Sequence, residues 1–297
     1  MAEITAQLVK ELRDKSGAGM MDCKKALAET EGDMQKAMNL LRERGAAIAN
    51  KRASRAAKEG VITAFISADR RKGALVELNS ESDFVARNED FQKLAAALSV
   101  HVGNLADLAD VPGSKMESGE TVADSVQAIV GKIGEKIIFS RWARLDAADK
   151  AQIFNYIHPP GKIGVLVEVR ASKETDSAEF GEFARDIAMH IAATSPVCVT
   201  RDEVPADALE NEREIFRKQA LNEGKPANIA EKIIEGRVQK FYGEVVLLEQ
   251  PFAKNPDQKV ADYVKQNAAK FGDDVAVTRF VRFRLGEMAE EKTEAAE

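Results

Sequence analysis

The feature that most constrains this fold is an internal repeat. The segment LVELNSESDFVARNEDFQKLAAALSVHV, starting at Leu75, aligns with LVEVRASKETDSAEFGEFARDIAMHI, starting at Leu166. Leu75-Val76-Glu77-Leu78 falls on Leu166-Val167-Glu168-Val169, and Phe91, Leu94, Leu98 and His101 fall on Phe180, Phe183, Ile187 and His190. The two copies differ in length by two residues, in the loop between these blocks, where a change of length costs little closure entropy. The first block of each copy is rich in β-branched residues and reads as a strand; the second has helical spacing. Another strand precedes each copy: VITAFIS, joined to the first copy through the turn ADRRKG, and IFNYIHP before the second. The pattern predicts two related α+β subdomains with antiparallel hairpins instead of one large domain.

Helices flank the repeat. Ile4, Leu8 and Leu12 recur at helical spacing, and Ser16-Gly17 should end that helix. MMDCKKALAET places Cys23, Ala26 and Leu27 on one side; Thr30-Glu31-Gly32 turns, and Asp33 caps MQKAMNLLRERG, with Ala37, Met38 and Leu41 inward. The Ala- and Lys-rich stretch after Gly45 reads as a linker. After the second copy, residues 203–241 read as two helices joined at Asn222-Glu223-Gly224, with Pro226 opening the second. Leu209 and Phe216 would face Ile229, Ile233 and Phe241, a stripe so narrow that this hairpin should project from the body. A last helix near VADYVKQN precedes a half-buried strand in which Val275, Val277, Val281, Phe283 and Leu285 share one face. The predicted divisions are 1–54, 55–142, 143–285 with the hairpin inserted, and an acidic tail, 286–297, that lacks a core face.

Composition narrows the function. The chain has 297 residues, enough for a sizeable core, and only two cysteines, Cys23 and Cys198, far apart in sequence. A disulfide scaffold or cysteine-based zinc site is therefore not expected, and a reducing compartment suits the chain. The charged start MAEITAQLVKELRDK has no apolar core of a secretory leader. The longest stretch free of Asp, Glu, Lys and Arg, Ile187 to Thr200, falls short of the ~18–20 residues a membrane span requires. These readings place the protein in the cytoplasm, away from a membrane. Net charge is −6, but Met1 to Gly60 holds 12 basic against 9 acidic residues, most of the excess between Arg42 and Lys58. A solvated helix end and linker is the favoured reading of that stretch; contact with phosphate or an acidic partner is the alternative. The overall charge speaks against a dedicated nucleic-acid binder.

Catalytic patterns are missing. There is no HxxxH pair, no GxSxG, and each GK dipeptide lacks the glycine a phosphate loop needs five residues earlier. Gly17-Ala18-Gly19 lies between helices, with Asp22 where a dinucleotide fingerprint needs its third glycine. His101 and His190 hold equivalent repeat positions, which favours a structural role for both. The chain is predicted to be no enzyme and to hold no cofactor or metal. What stands out is SDFVAR, Ser82 to Arg87. Phe84 has no counterpart in the second copy, so its ring serves either a partner or local packing at a helix start capped by Ser82 or Asp83.

These residues also carry a resemblance. LVKELRDKSGAGMMDCKKAL, SDFV, KIGE from Lys132 to Glu135, IAMHIAA, EGRVQKF and YGEVVLLEQPF occur in the order found in the bacterial translation elongation factor Ts family, which the chain resembles over nearly its whole length. Ser82 stands for the family's usual Thr, and Ser80-Glu81-Ser82 for its more familiar CQT; the Asp-Phe pair is kept. The resemblance implies a guanine-nucleotide exchange factor for elongation factor Tu, with an amino-terminal three-helix module of ubiquitin-associated type. It implies that Ser82, Asp83, Phe84 and Val85 form the element that dislodges Mg²⁺ from the GTPase, that Asp83 and Phe84 wedge near its phosphate site, and that Met20, Met21, Ile133 and Gly134 make further contacts. It also implies that the second core copy grips another domain of the GTPase. Whether the hairpin or the core contacts a second copy of the chain is left open by the sequence.

Overall fold

The computed structural model describes residues 4–172, 177–222 and 227–288. The chain begins with three helices, α1 (Ala6–Ser16), α2 (Met20–Glu29) and α3 (Met34–Lys51). Thr5 Oγ1 accepts from the Leu8 amide to start α1, and Gly17, at φ 67°, ends it, a backbone conformation that a β-carbon would strain. Asp33 caps α3 by accepting from the Lys36 amide at 3.0 Å. Leu12, Cys23, Ala26, Leu27 and Ala37 are fully buried between the three.

The stretch beyond Gly45 is not wholly linker. α3 continues to Lys51, packed on α6 (Val122–Ile133) where two glycines meet: a β-carbon at Gly131 would stand 3.2 Å from Gly45 Cα. Ile48 then packs on the core of the first repeat. Tertiary contact outweighs the ~0.5–1 kcal/mol that a mid-helix glycine costs. The arginines there have partners within the chain: Arg42 with Glu120, Arg44 with Glu29, and Arg52 and Arg55 with Glu81.

The repeat builds a four-layer sandwich. Strands β1 (Glu59–Ile66), β2 (Lys72–Ser80) and β3 (Ile137–Asp146) form one antiparallel sheet in that order. The second sheet has the order β4 (Ala151–His158), β5 (Ile163–Ala171) and β8 (Val275–Arg284). The one-turn helix α4 (Asp83–Ala86) leads into α5 (Glu89–Asn104), which covers the outer face of the first sheet; α7 (Ala178–Thr194) covers that of the second. The inner faces pack on each other through Ile62, Leu75, Leu145, Ile153, Leu166 and Phe283. Two glycines at matched positions make this approach possible. A β-carbon at Gly73 would stand 2.6 Å from Ile153 Cγ2, and one at Gly164 2.5 Å from Ile62 Cγ2.

The third strands belong to the repeat too, which the sequence reading missed. Each carries a bulge opposite the matched glutamate: Glu77 pairs with Arg141 as Ser140 is bypassed, and Glu168 pairs with Arg279 as Thr278 is bypassed. Both carboxylates are buried and salt-bridged, Arg141 Nε to Glu77 at 2.8 Å and Arg279 Nη2 to Glu168 at 2.8 Å. Each is also bonded from the other half or the crossover, by the amides of Gly286 and Ala148 respectively. Losing one member of such a pair strands a buried charge. The bulge corrects the alternation expected for the last strand. One extra residue reverses the side-chain parity, so Val275 and Val277 join the α7 core while Val281, Phe283 and Leu285 face the other sheet.

β3 runs across position 142, where the sequence puts the division between the halves; the chain crosses between the sheets at 147–150. The remaining elements are the hairpin helices α8 (Ala206–Asn222) and α9 (Ala227–Val245), the two-stranded ribbon β6 (Pro251–Phe252) and β7 (Asn255–Lys259), and α10 (Val260–Phe271). Among the described residues of α9, Ile234 and Val238 are buried, with Ile233 and Phe241 only half-buried. The hairpin turn at 223–226, the side chain of Ile229 and the tail from 289 lie outside the described residues. No helix among the described residues is long and apolar enough to cross a membrane.

Candidate partner-binding site

β2 delivers its chain end to Ser82, which caps α4: the Val85 amide donates to Ser82 Oγ at 3.4 Å, and Ser80 Oγ donates to the Ser82 carbonyl at 2.9 Å. Asn88 caps α5 immediately afterwards, accepting from the Asp90 amide at 2.9 Å. Between these caps, Val85 and Ala86 are buried in the core of the first half, whereas Phe84 is 81% exposed. An apolar ring is thus held in water by a backbone anchored on both sides. Asp83 lies beside it and pairs with Arg87 at 2.9 Å, both side chains at the surface.

The KIGE segment braces this turn. α6 ends at Gly134, whose φ of 78° reverses the chain so that Glu135 reaches Ser82. The Ser82 amide donates to Glu135 Oε2 at 3.1 Å, and Ser82 Oγ donates to Oε1 at 2.8 Å. Ile133 is half-buried against the first core, and Lys132 pairs with Asp90 at 2.7 Å. The turn between α1 and α2 touches the same corner: a β-carbon at Gly17 would stand 3.5 Å from Lys132 Cδ. Met20 and Met21 follow that turn, 44% and 62% exposed. The structure therefore joins the Ser82–Val85 turn to the end of α6 directly, through Ser82 and Glu135, and Lys132 touches the turn that precedes α2.

Glu81 and Glu135 escaped the sequence reading, although both lie in the quoted motifs; a carboxylate next to a cap was the available signal. Burial pushes the Glu81 carboxyl up, but the Lys136 amide, Arg52 and Arg55 outweigh it and hold it at about 2. The histidines have structural partners. His101 Nε2 lies 2.7 Å from Ser114 Oγ. Buried His190 accepts at Nδ1 from the Ala253 amide, so its Nε2–H faces Gln250 Oε1 at 2.9 Å. Burial lowers the pKa of both. In the second half, a largely apolar cavity of about 350 Å³ is lined by Tyr156, His158, Met189, His190, Phe252 and Lys254, among others. Among the described residues, no cluster of His, Cys, Asp or Glu is arranged to hold a metal.

A sandwich of two matched halves that presents an apolar ring on a braced turn has the form of a protein that acts by contact. The comparisons agree. A family model described as Elongation factor TS matches residues 81–287. Elongation factor Ts of Prosthecochloris aestuarii is 48% identical over 96% of this chain and 100% of its own length. That of Clostridioides difficile is 47% identical over 99% and 96%, and that of Chloroherpeton thalassium 46% over 97% and 100%. The chain belongs to the elongation factor Ts family: it is a translation elongation factor, not an enzyme.

Proposed function

We propose that this protein is a cytoplasmic guanine-nucleotide exchange factor for elongation factor Tu, and that Asp83 and Phe84 open the nucleotide site. Nucleotide affinity in such GTPases depends on Mg²⁺ bridging phosphate oxygens to protein ligands. A ring and a carboxylate pushed against that site displace the ion and its charge neutralisation. Each ~1.4 kcal/mol of affinity lost speeds release about tenfold when association is unchanged. GDP then leaves and GTP reloads. The observation that carries this reading is Phe84, exposed on a turn anchored by the buried Val85 and Ala86 and by the caps Ser82 and Asn88. A wedge must be stiff, because a mobile one would lose the interaction energy to its own ordering.

The other contacts follow from placement. Met20 and Met21, exposed after the α1–α2 turn that touches Lys132, and Ile133 and Gly134, which precede the Glu135 that holds Ser82, extend the footprint on the GTPase. The cavity at Tyr156 and His158 is the surface through which the second half, from β4 to β8, holds another domain of the GTPase. Such a factor holds an otherwise unfavourable state of its partner, so it needs contact area and no nucleophile. Release of a fluorescent GDP from elongation factor Tu, with and without the protein, tests the reading. The protein should accelerate release strongly in Mg²⁺, and much less once a chelator has removed the ion. Equal acceleration in both conditions would refute displacement of Mg²⁺.

A further inference from the structure

Glu81 stands one residue before the α4 cap, its side chain only 14% exposed, and it gathers donors from two distant parts of the chain. Arg52 Nη1 donates to Oε1 at 2.8 Å and Arg55 Nη1 to Oε2 at 2.9 Å. The Lys136 amide donates to Oε1 at 2.7 Å. The Lys136 ammonium reaches back to the carbonyl oxygens of Ala53 and Arg55, at 2.5 and 2.7 Å. The next residue, Ser82, is clasped by Glu135. The chain leaving α3, the turn between α6 and β3, and the root of α4 therefore meet in one hydrogen-bonded knot beneath Asp83 and Phe84. Ordering two arginines on one carboxylate costs side-chain entropy that a passive linker would not spend. Charge-assisted bonds from a planar guanidinium also fix direction, which a point charge does not.

We propose that Glu81, gripped by Arg52 and Arg55, is a positioning residue for nucleotide exchange: it ties the end of the three-helix unit to the root of α4 and so fixes the angle at which Phe84 is presented. The inference rests on the wedge reading above. On this view the basic stretch after α3 serves neither phosphate nor a solvated linker; its last arginines are a strut. Pre-ordering the tip before contact removes part of the ordering cost of binding the distorted partner.

Arg52→Ala/Arg55→Ala and Glu81→Gln test this, each alone and combined with Phe84→Ala, in release of fluorescent GDP from elongation factor Tu. Each should lower the maximal release rate about fivefold, within the range of coupling between contacting residues, while the half-saturating concentration changes less than about twofold. Neither should cost anything further once Phe84 is alanine. Arg52→Lys/Arg55→Lys, which keeps the charge, should recover part of the rate. Amide hydrogen exchange over residues 82–87 should quicken in the alanine and glutamine variants. A wild-type maximal rate in both variants, or the same fivefold loss repeated in the Phe84→Ala background, would overturn the proposal. If Phe84→Ala alone exchanged normally, the wedge reading would fall instead. Hydrogen exchange would then decide the strut, with faster exchange at 82–87 upholding it and unchanged protection removing it.

Discussion

Phe84→Ala separates a residue that serves a partner from one that serves the core. The ring is 81% exposed, so truncation deletes atoms that already stand in water, and the stability change should stay within about 0.5 kcal/mol. Phe91, seven residues on and fully buried, is the internal standard. Its truncation leaves a cavity and should cost about 3–5 kcal/mol. Against a partner the order reverses. A buried aromatic anchor contributes about 2 kcal/mol or more, equivalent to roughly 30-fold in rate. Phe84→Ala should therefore melt within about 2 °C of the parent protein and release GDP from elongation factor Tu roughly 30-fold more slowly. Phe91→Ala should melt far lower and, where still folded, keep more of its exchange activity. Asp83→Ala should follow Phe84→Ala less strongly, since its carboxylate is shared with Arg87. Thermal melts by circular dichroism and stopped-flow release on the same preparations decide the matter. The reasoning fails if Phe84→Ala melts as low as Phe91→Ala, or if its release rate stays within about threefold of the parent's.

Gly164→Ala should destabilise the sandwich by about 1–3 kcal/mol, because its methyl would press into Ile62, Leu75 and Ile157 between the sheets; an unchanged denaturation midpoint would show that the layers can part. The Glu81 carboxyl sits at about 2, below its ordinary 4.5, so deprotonation favours the folded form: that stability is full above 4.5 and is lost as pH falls toward 2. Glu81→Gln should accordingly melt lower at neutral pH and show a shallower fall across that window, and parallel acid profiles would contradict the ion-pair account. Replacing residues 211–231 of the α8–α9 hairpin with a short Gly-Ser turn should leave both folding and GDP release intact, since the buried Ile234 and Val238 are kept. A loss as large as that of Phe84→Ala would assign the hairpin to the mechanism.

Much of this protein is written in local pattern. The duplicated strand–helix blocks, the Gly17 stop, the Asp33 cap and the exceptional Phe84 are properties of spacing and backbone preference, which a chain carries wherever it is folded. Phe84 could be singled out because the repeat supplied its own comparison: core positions recur, and this one did not. Other features were invisible for a physical reason. Gly45 looks like a helix breaker until Gly131 is brought against it, and the bulges at Ser140 and Thr278 reverse the hydrophobic alternation with no more sign in the sequence than an arginine, Arg141 or Arg279, in the apolar series. Glu81 reads as one charge among 49 acidic residues until the fold sets Arg52, Arg55 and the Lys136 amide around it. Periodicity reports which face of an element is apolar. Which distant group completes a buried charge, and how closely two backbones can approach, is decided only when the layers are packed.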